Sequence, residues 1–310
     1  RHGDDLSVKI NREVEMVQVS DYRHPGMTDS ECVRAALAVV AGEKERILFF
    51  SGRDFLLDEA ILLPSGTTVI VDGCTLRQQD GTFDNVFRGD NLALDPLNPF
   101  GAPLDVRPIS NIRILGRNGA AIVGPNRNRR AIHPHFNEEQ EMVGDFWGWR
   151  SHQINLSRCD SFEISGFAFR QTRGWAISFD FCSNGVVRDI DFDTHVKNGD
   201  GIDFRLGCHH CIAEDLRGYT LDDTVACTAL NNPVAPPRYL YPAEPAKRLF
   251  KHGDPRLMDI HDITIRRLHV SGDNHAVICL AANGLQVYNI HISDITETGE
   301  RAFHLIDLYT

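Results

Sequence analysis

Residues 174–226 read GWAISFDFCSNGVVRDIDFDTHVKNGDGIDFRLGCHHCIAEDLRGYTLDDTVA. Within and after this stretch, four residue doublets each precede a short apolar run by one intervening residue: Gly174-Trp175, Gly199-Asp200, Asp222-Asp223 and Asn274-His275. The runs are 25, 23 and 52 residues apart and begin at Ile177, Ile202, Val225 and Val277. A period in the low twenties, with strands bounded by turn residues, is typical of a solenoid. Equal register predicts that the side chains before these runs stack above one another.

Short strands without intervening helices recur along most of the chain, which predicts an all-β solenoid spanning residues 1–310 as a single domain. Residues 14–45 are expected to cap one end. In this cap, residues 14–20 form an opening strand, and Thr28-Asp-Ser-Glu31 is a capping box for a helix running to Val40. Residues 124–150 and 231–258 break the period, and such excursions from a regular scaffold are commonly binding loops. Trp147 and Trp149 favour a sugar-binding platform in the first excursion.

Composition excludes several classes of function. Hydrophobic residues make up 42% of the chain and charged residues 24%, as in soluble globular proteins. The net charge of −11, without a Lys/Arg stripe, argues against nucleic acid as a partner. No apolar stretch approaches the roughly 18 residues of a membrane span, so no membrane partner is expected. No signal peptide begins at Arg1, and the oligomeric state is left open.

The eight cysteines favour packing rather than chemistry. Cys159, Cys182 and Cys208 recur at gaps of 23 and 26 residues, each after a strand, which predicts a column of thiols turned into the core. Cys208 and Cys211 have the spacing of half a zinc site, but no second pair matches it. We therefore expect no metal and no cofactor, and the stacked pattern does not demand disulfides.

The equal register brings carboxylates together. Asp200 and Asp223 each lie two residues before a strand, so they are expected about one strand spacing, roughly 5 Å, apart. An isolated Asp-Gly or Asp-Asp pair would indicate only a turn. Like charges held this closely disfavour joint ionisation, which is typical of a functional site. With Asp222 as a third acid, the set suits glycoside hydrolysis, in which one acid protonates the leaving oxygen and others activate water.

Two motifs give this strip a specific resemblance. Residues 198–203, Asn-Gly-Asp-Gly-Ile-Asp, resemble the Asn-Thr-Asp-Gly-x-Asp motif of the polygalacturonase-type glycoside hydrolases of family 28. Residues 222–226, Asp-Asp-Thr-Val-Ala, are similar to the Asp-Asp-Cys-Ile-Ala part of a second motif of that family. Residues 17–76 also look like the opening segment of pectin-lyase-like β-helices. The resemblance implies a right-handed parallel β-helix and a secreted or periplasmic hydrolase of a polysaccharide or oligosaccharide, without a cofactor.

By this resemblance Asp222 is the general acid, Asp200 and Asp223 activate water, and His275 supports them. The acid and base would be roughly 6.5–9.5 Å apart, which implies inversion at the anomeric carbon. The substrate-binding residues implied are Trp175, Asn198, Asp203, Arg205 and, from its place two residues before Phe303, Arg301. Two departures stand out. Leu221 replaces a Gly, and the strand Phe303-His-Leu-Ile306 lacks the Arg-x-Lys pair that binds galacturonate carboxylates.

Three functions remain open from the sequence. The first is an inverting hydrolase of a pectin-type α-linked chain, either a galacturonide or a rhamnogalacturonan. The second is a polysaccharide lyase or epimerase, because a β-helix alone does not define the chemistry. The third is a carbohydrate-binding or adhesive β-helix without catalysis, such as a tailspike-like module. Unsaturated products would favour the second, and glycan binding without bond cleavage the third.

Overall fold

The computed structural model describes residues 16–40, 46–133, 136–230, 242–250, 252–299 and 304–309. Within them the chain is a right-handed parallel β-helix, the class of fold that the sequence predicts. The strands of its first half are β1 Met16–Gln18, β2 Arg46–Ser51, β3 Phe55–Leu57, β4 Ile61–Leu63, β5 Thr67–Asp72, β6 Thr75–Gln78, β7 Phe87–Gly89, β8 Leu92–Ala93, β9 Asp105–Val106, β10 Ile109–Arg117, β11 Ala121–Val123, β12 Arg130–Ile132 and β13 Glu139–Glu141.

The second half is more regular, because almost every coil contributes one short and one long strand. Its strands are β14 Ile154–Ser157, β15 Cys159–Arg170, β16 Ile177–Asp180, β17 Ser183–Thr194, β18 Ile202–Phe204, β19 His209–Thr220, β20 Val225–Leu230, β21 Ile260–Gly272, β22 His275–Ala282, β23 Val287–Glu297 and β24 His304–Tyr309. The short strands stack in the order β4-β7-β14-β16-β18-β20-β22-β24, which we call the front sheet. The long strands stack in the back sheet, in the order β1-β2-β5-β10-β15-β17-β19-β21-β23, with β3, β6 and β11 attached.

The core lies between the two sheets and is built from columns of like residues. One hydrophobic cluster runs from Val17 to Leu285. The rings of Phe162, Phe179 and Phe204 stack with centroids 4.4 and 5.5 Å apart. The predicted cysteine column is also present: Cys159, Cys182 and Cys208 are fully buried, as a small apolar side chain facing the core should be.

A helix caps the end of the β-helix at β1 and β4, as the capping box predicts. The helix α1 (Asp29–Val40) packs against β1, β2, β3 and β4. The Thr28 N–H donates to Oε2 of Glu31 at 2.7 Å, and the Glu31 N–H donates to Oγ1 of Thr28 at 3.2 Å. The opening strand is shorter than predicted, because the chain turns into a 3₁₀ helix at Val19–Tyr22.

In the part of the chain that the structure describes, three excursions leave the coils, one more than the sequence predicts. The first predicted insertion holds the antiparallel pair β12–β13 and 3₁₀ turns at Asp145–Trp147 and Trp149–Ser151. In the second, residues 231–241 and 251 lie outside the described part, and the remainder holds α2 (Lys247–Phe250) and a 3₁₀ turn at Pro255–Met258. The excursion that the sequence missed lies between β7 and β10 and carries the antiparallel pair β8–β9.

Candidate active site

The four doublets share one register in the front sheet, as their spacing predicts. Ile177 pairs with Ile202, Ile202 with Val225, and Val225 with Val277. The position two residues earlier therefore forms one column at the start of the front-sheet strands: His152, Trp175, Asp200, Asp223, His275 and His304.

Backbone hydrogen bonds between coils continue through this column. The Ala176 N–H donates to the carbonyl of Asp200, the Gly201 N–H to that of Asp223, and the Thr224 N–H to that of His275, each at 2.9 Å. The column residues are therefore held at the spacing of neighbouring strands, about 5 Å. These backbone hydrogen bonds between coils fix the register, and the fixed register brings the side chains of neighbouring column residues next to one another.

Asp222 and Asp223 are joined by the doublet of the next coil. Nδ2 of Asn274 donates to Oδ1 of Asp222 and, at 3.2 Å, to Oδ1 of Asp223. Nδ1 of His275 lies 2.6 Å from the same oxygen of Asp223. Asn274 thus bridges the two carboxyls, a contact that the sequence did not predict although the doublet itself was noticed.

Asp200 and Asp203 are buried carboxyls with unsatisfied oxygens. They are 5% and 1% exposed, and among the described residues Oδ1 of Asp200 and both carboxyl oxygens of Asp203 have no hydrogen-bond partner. Burial raises the pKa of both well above the usual range, and Asp203, Asp222 and Asp223 raise that of Asp200 further. Unpaired buried oxygens of this kind are what a site for water or a substrate hydroxyl requires.

Asp223 is the more readily ionised member of the pair with Asp200. Burial raises its pKa to about 6, and the hydrogen bond from His275 opposes that rise. Asp200 has no such donor on Oδ1 and is more deeply buried. Of the two carboxyls, Asp200 therefore favours the protonated state more strongly, and Asp223 is the one that more readily carries the negative charge.

The resemblance places Arg205 among the substrate-binding residues, but in this structure carboxylates of the protein already hold its guanidinium group. Its Nε and Nη2 donate to Oε1 of Glu244 at 2.9 and 2.6 Å, and its Nη1 lies 3.9 Å from Oδ1 of Asp203. The side chain is 9% exposed. The sequence could not show this, because Glu244 comes from the second insertion, which has no periodic relation to β18.

Trp175 is likewise covered rather than open. It is 3% exposed, its ring stacks on that of His152 with centroids 4.3 Å apart, and the guanidinium of Arg205 lies 4.7 Å from its centroid. Trp147 and Trp149 are also buried, so the expectation of an exposed platform there is wrong. Trp149 is fixed by its own Nε1–H, which donates to the carbonyl of Gly101 at 3.0 Å.

Of the two remaining predicted substrate-binding residues, the structure describes Asn198 but not Arg301. Asn198 lies at the turn before Asp200 with a left-handed backbone (φ 52°), and its side chain faces Gly144 of the first insertion. Arg301 lies outside the described residues. Among the described residues of β24, Ile306 is the partner of Val277, and His304 shares the column of His275.

Two carboxyls near the site were missed by the sequence reasoning. Oδ2 of Asp307, on β24, lies 3.1 Å from Nε2 of His275. The register of β24 places Asp307 opposite Ile278, so the sequence period does not mark its contact with His275. Asp145 lies in the first insertion; burial raises its pKa, Arg205 lowers it, and Glu244 and Asp222 raise it further. Nothing periodic marks that residue.

The Cys208–Cys211 segment is explained by packing. Both thiols face the core, and Sγ of Cys208 donates to the carbonyl of Phe179 at 3.4 Å. His210 occupies a left-handed bend (φ 53°) that recurs on each long strand, at Asn184, Asp262 and Asn289. On this back-sheet surface, away from the carboxylates, ligand atoms of His210, His261 and Asp262 lie within 4.8 Å of one another.

Comparison with solved structures decides the fold family. A polygalacturonase from Erwinia carotovora superposes with a TM-score of 0.59 and 15% identity, over 96% of this chain and 75% of that one. The chain has the pectin-lyase-like β-helix fold of the polygalacturonases. The tailspike protein of E. coli bacteriophage HK620, in complex with a pentasaccharide, gives a TM-score of 0.58, 13% identity, and 94% and 47% coverage.

The surface adhesin PfbA of Streptococcus pneumoniae gives a TM-score of 0.58 and 12% identity, over 94% of this chain and 66% of that one. A scan against family models and a search of curated proteins each find no match. Among the described residues, no helix has the length and apolar character to cross a bilayer. The comparisons therefore establish a fold shared by enzymes and by glycan-binding or adhesive proteins.

Proposed function

We propose that the protein is an inverting glycoside hydrolase. The observation that carries the proposal is the stacking of Asp200 and Asp223 on adjacent coils, with Asp222 bridged to Asp223 through Asn274. Three carboxyls at this spacing, one with an unpaired buried oxygen, supply both an acid and a base for cleavage of a glycosidic bond.

Each carboxyl has a separate role in the proposed reaction. Asp222 protonates the leaving glycosidic oxygen. A water held by the protonated Asp200 loses its proton to the carboxylate of Asp223 as its oxygen attacks the anomeric carbon from the opposite face. His275 donates to Asp223 and keeps that carboxyl ionised. The configuration at the anomeric carbon is inverted. Asp223 then releases its proton to solvent, and Asp222 regains one from solvent.

The proposed substrate class is a pectin-type α-linked chain, a galacturonide or a rhamnogalacturonan, outside the cell or in the periplasm. Its support is the pair of motifs at residues 198–203 and 222–226 together with the shared fold. The test is a panel of pectic, rhamnogalacturonan and neutral oligosaccharides, assayed with the unmodified chain and with Asp222→Asn. Turnover by the unmodified chain alone supports the proposal, and equal activity of both chains contradicts it.

Glycan binding without catalysis is the second candidate, and the burial of the carboxyls favours it. Asp203 is 1% exposed and Asp200 5% exposed, so the approach to the site is narrow. The fold neighbour with a bound pentasaccharide is a tailspike protein. Saturable binding of one panel member, with no new reducing ends after prolonged incubation, would establish this candidate over the hydrolase.

A further inference from the structure

The Cys208–Cys211 segment turns its thiols and its imidazoles in opposite directions. The side chains of Cys208 and Cys211 are buried in the core, whereas His209 is partly exposed and His210 is exposed. The two histidines lie at the start of β19, on the outer surface of the back sheet. The spacing of the cysteines therefore leads to no metal site, but it leaves two nitrogen ligands facing solvent.

The next long strand, β21, brings two further ligand residues to these histidines. In the ladder between β19 and β21, His209 is the partner of His261. The residues that follow, His210 and Asp262, both occupy the left-handed bend, with φ of 53° and 54°, so they also lie side by side. As a result, ligand atoms of His210, His261 and Asp262 all lie within 4.8 Å of one another.

The distances at Asp262 fit a single bound cation. Nδ1 of His261 lies 2.6 Å and Nε2 of His210 lies 3.6 Å from Oδ2 of Asp262. Two ligands of a tetrahedral zinc ion, each 2.0–2.2 Å from the metal, are roughly 3.3 Å apart. Small side-chain movements therefore suffice for three ligands to meet one ion. The ion takes the place of the proton that now joins His261 to Asp262.

Hydrogen bonds already orient two of the three ligands. Nδ1 of His209 lies 2.9 Å from Nδ1 of His210, so one of these nitrogens donates and the other accepts. When His210 donates, its Nε2 keeps a free lone pair on the side of Asp262. Nδ2 of Asn289 donates to Oδ1 of Asp262 at 3.1 Å, which leaves Oδ2 for the histidines. Partners of this kind orient the ligands in metal sites.

Stacking fixes the third ligand. The ring of His261 lies between those of His209 and Tyr288, with centroids 5.0 Å away on each side and interplanar angles of 3° and 13°. These three residues are partners in the ladders of β19, β21 and β23. The repeat of the solenoid therefore sets the plane of the His261 ring, and its Nδ1 is held towards Asp262.

We infer that His210, His261 and Asp262 form a binding site for a divalent transition-metal ion such as Zn²⁺. Two imidazoles and one carboxylate suit these ions, whereas Ca²⁺ and Mg²⁺ prefer oxygen ligands. None of the three side chains is buried, so the ion can enter from solvent and keep water as a further ligand. The site is separate from the carboxyls of the front sheet, and the inference does not rest on the proposed hydrolase function.

The ion joins parts of the chain that are distant in sequence. His210 is on β19, and His261 follows on β21, 51 residues later (261 − 210). The segment between them contains Asp222, Asp223 and the second insertion. A metal that binds only the folded chain adds to its stability, and the cross-link closes a long loop. The ion therefore stabilises the coil that carries two of the proposed catalytic carboxyls.

Calorimetric titration of the unmodified chain tests the inference, after the chain has been treated with EDTA and dialysed. We expect one equivalent of Zn²⁺ to bind saturably, with no binding of Ca²⁺ or Mg²⁺ at the same concentrations. The thermal midpoint should rise with the concentration of Zn²⁺. If Zn²⁺ shows no saturable binding, or if Ca²⁺ binds equally well, the inference is wrong.

Two variants remove a ligand without disturbing the bend. Asn already occupies the same left-handed bend on β23, at Asn289, so His210→Asn and Asp262→Asn should both fold. Each should weaken Zn²⁺ binding at least roughly ten-fold. His195→Asn is the matched control, because Nε2 of His195 lies 2.7 Å from Oδ1 of Asp193 but this pair belongs to no three-ligand cluster among the described residues. Unchanged affinity in both ligand variants overturns the inference.

The front sheet offers a rival position for the ion, because the ring of His275 lies between carboxylates of Asp223 and Asp307. We expect His275→Ala to keep the Zn²⁺ affinity of the unmodified chain. Zn²⁺ should also slow hydrogen exchange at the amides next to His210 and His261, and not at those next to His275. Loss of binding in His275→Ala, with binding retained in His210→Asn, would place the ion on the front sheet and contradict the inference.

Discussion

Nδ1 of His275 lies 2.6 Å from Oδ1 of Asp223, while Nε2 of the same ring lies 3.1 Å from Oδ2 of Asp307. Each ring nitrogen faces a carboxylate oxygen, and this fixes the orientation of the imidazole between two coils. Because His275 opposes the rise in the pKa of Asp223, the ring helps to keep the proposed base ionised near neutral pH.

Replacing His275 with Ala should move the pH dependence of the reaction. In the proposed reaction Asp223 must be ionised to accept a proton, so the activity of the unmodified chain should rise as the pH passes about 6. Without the donor, the pKa of Asp223 rises further and the acidic limb of kcat/KM shifts to higher pH. His269→Ala, at an exposed back-sheet position, is the control. If the acidic limb of kcat/KM does not shift in His275→Ala, His275 does not help to keep Asp223 ionised.

Asp222→Asn should lower kcat by roughly 10²- to 10⁴-fold, which is the usual loss when a general acid is removed. The amide keeps the size of the side chain and can still contact Asn274, so circular dichroism and the unfolding midpoint should stay close to those of the unmodified chain. Asp58→Asn, at an exposed turn far along the front sheet, should leave kcat unchanged. Near-native turnover by Asp222→Asn would show that another group is the acid.

Asp180→Asn should change how stability depends on pH. Burial raises the pKa of Asp180 to about 7, although hydrogen bonds from Ser157 and Ala246 oppose the rise. The folded state thus prefers the protonated carboxyl, and its contribution to stability is present at low pH and lost as the pH rises towards and through 7. The loss is on the order of 4 kcal/mol at most.

The measurement for Asp180 is urea unfolding at pH 4.5, 6 and 7.5. Relative to the unmodified chain, Asp180→Asn should gain free energy of unfolding as the pH increases. Asp21→Asn, an exposed control, should show no such trend. A difference between Asp180→Asn and the unmodified chain that is constant over this range would contradict the assignment of a raised pKa.

The eight cysteines should behave as buried free thiols. Burial raises the pKa of Cys159 and Cys211 to about 12, so neither thiol is reactive at neutral pH. Alkylation without reductant should label few or none of the eight in the folded chain and all eight in denaturant, as counted by mass spectrometry. The thermal midpoint should not respond to a reducing agent. Incomplete labelling in denaturant would reveal a disulfide.

Register is the part of the structure that the sequence predicts well. The spacing of Ile177, Ile202 and Val225 was sufficient to place Asp200 and Asp223 side by side, because a parallel ladder converts sequence period directly into vertical stacking. The same reasoning located the cysteine column, whereas the capping box at Thr28–Glu31 located the helix α1. The register reasoning failed for β24, where the apolar residue Phe303 was taken as the strand start and Ile306 proved to be the partner of Val277.

The contacts that the two insertions make with the site could not be predicted from the repeat period of the sequence. Glu244 and Asp145 lie in segments with no repeat, so nothing in the sequence related them to Arg205 or Asp222. The same segments changed the environment of the predicted binding residues. Trp175 and Arg205 are at the expected place in the fold, but both are buried: Trp175 stacks on His152, and Glu244 of the second insertion holds Arg205.

The central claim is that the stacked carboxyls cleave a glycosidic bond with inversion, and proton NMR of the first product formed tests it most directly. A cleaved α-linkage should yield the β-anomer in the earliest spectra, before mutarotation, and Asp222→Asn should yield no product. An α-anomer formed first, or an unsaturated uronide without a new anomeric hydroxyl of this kind, would contradict the account.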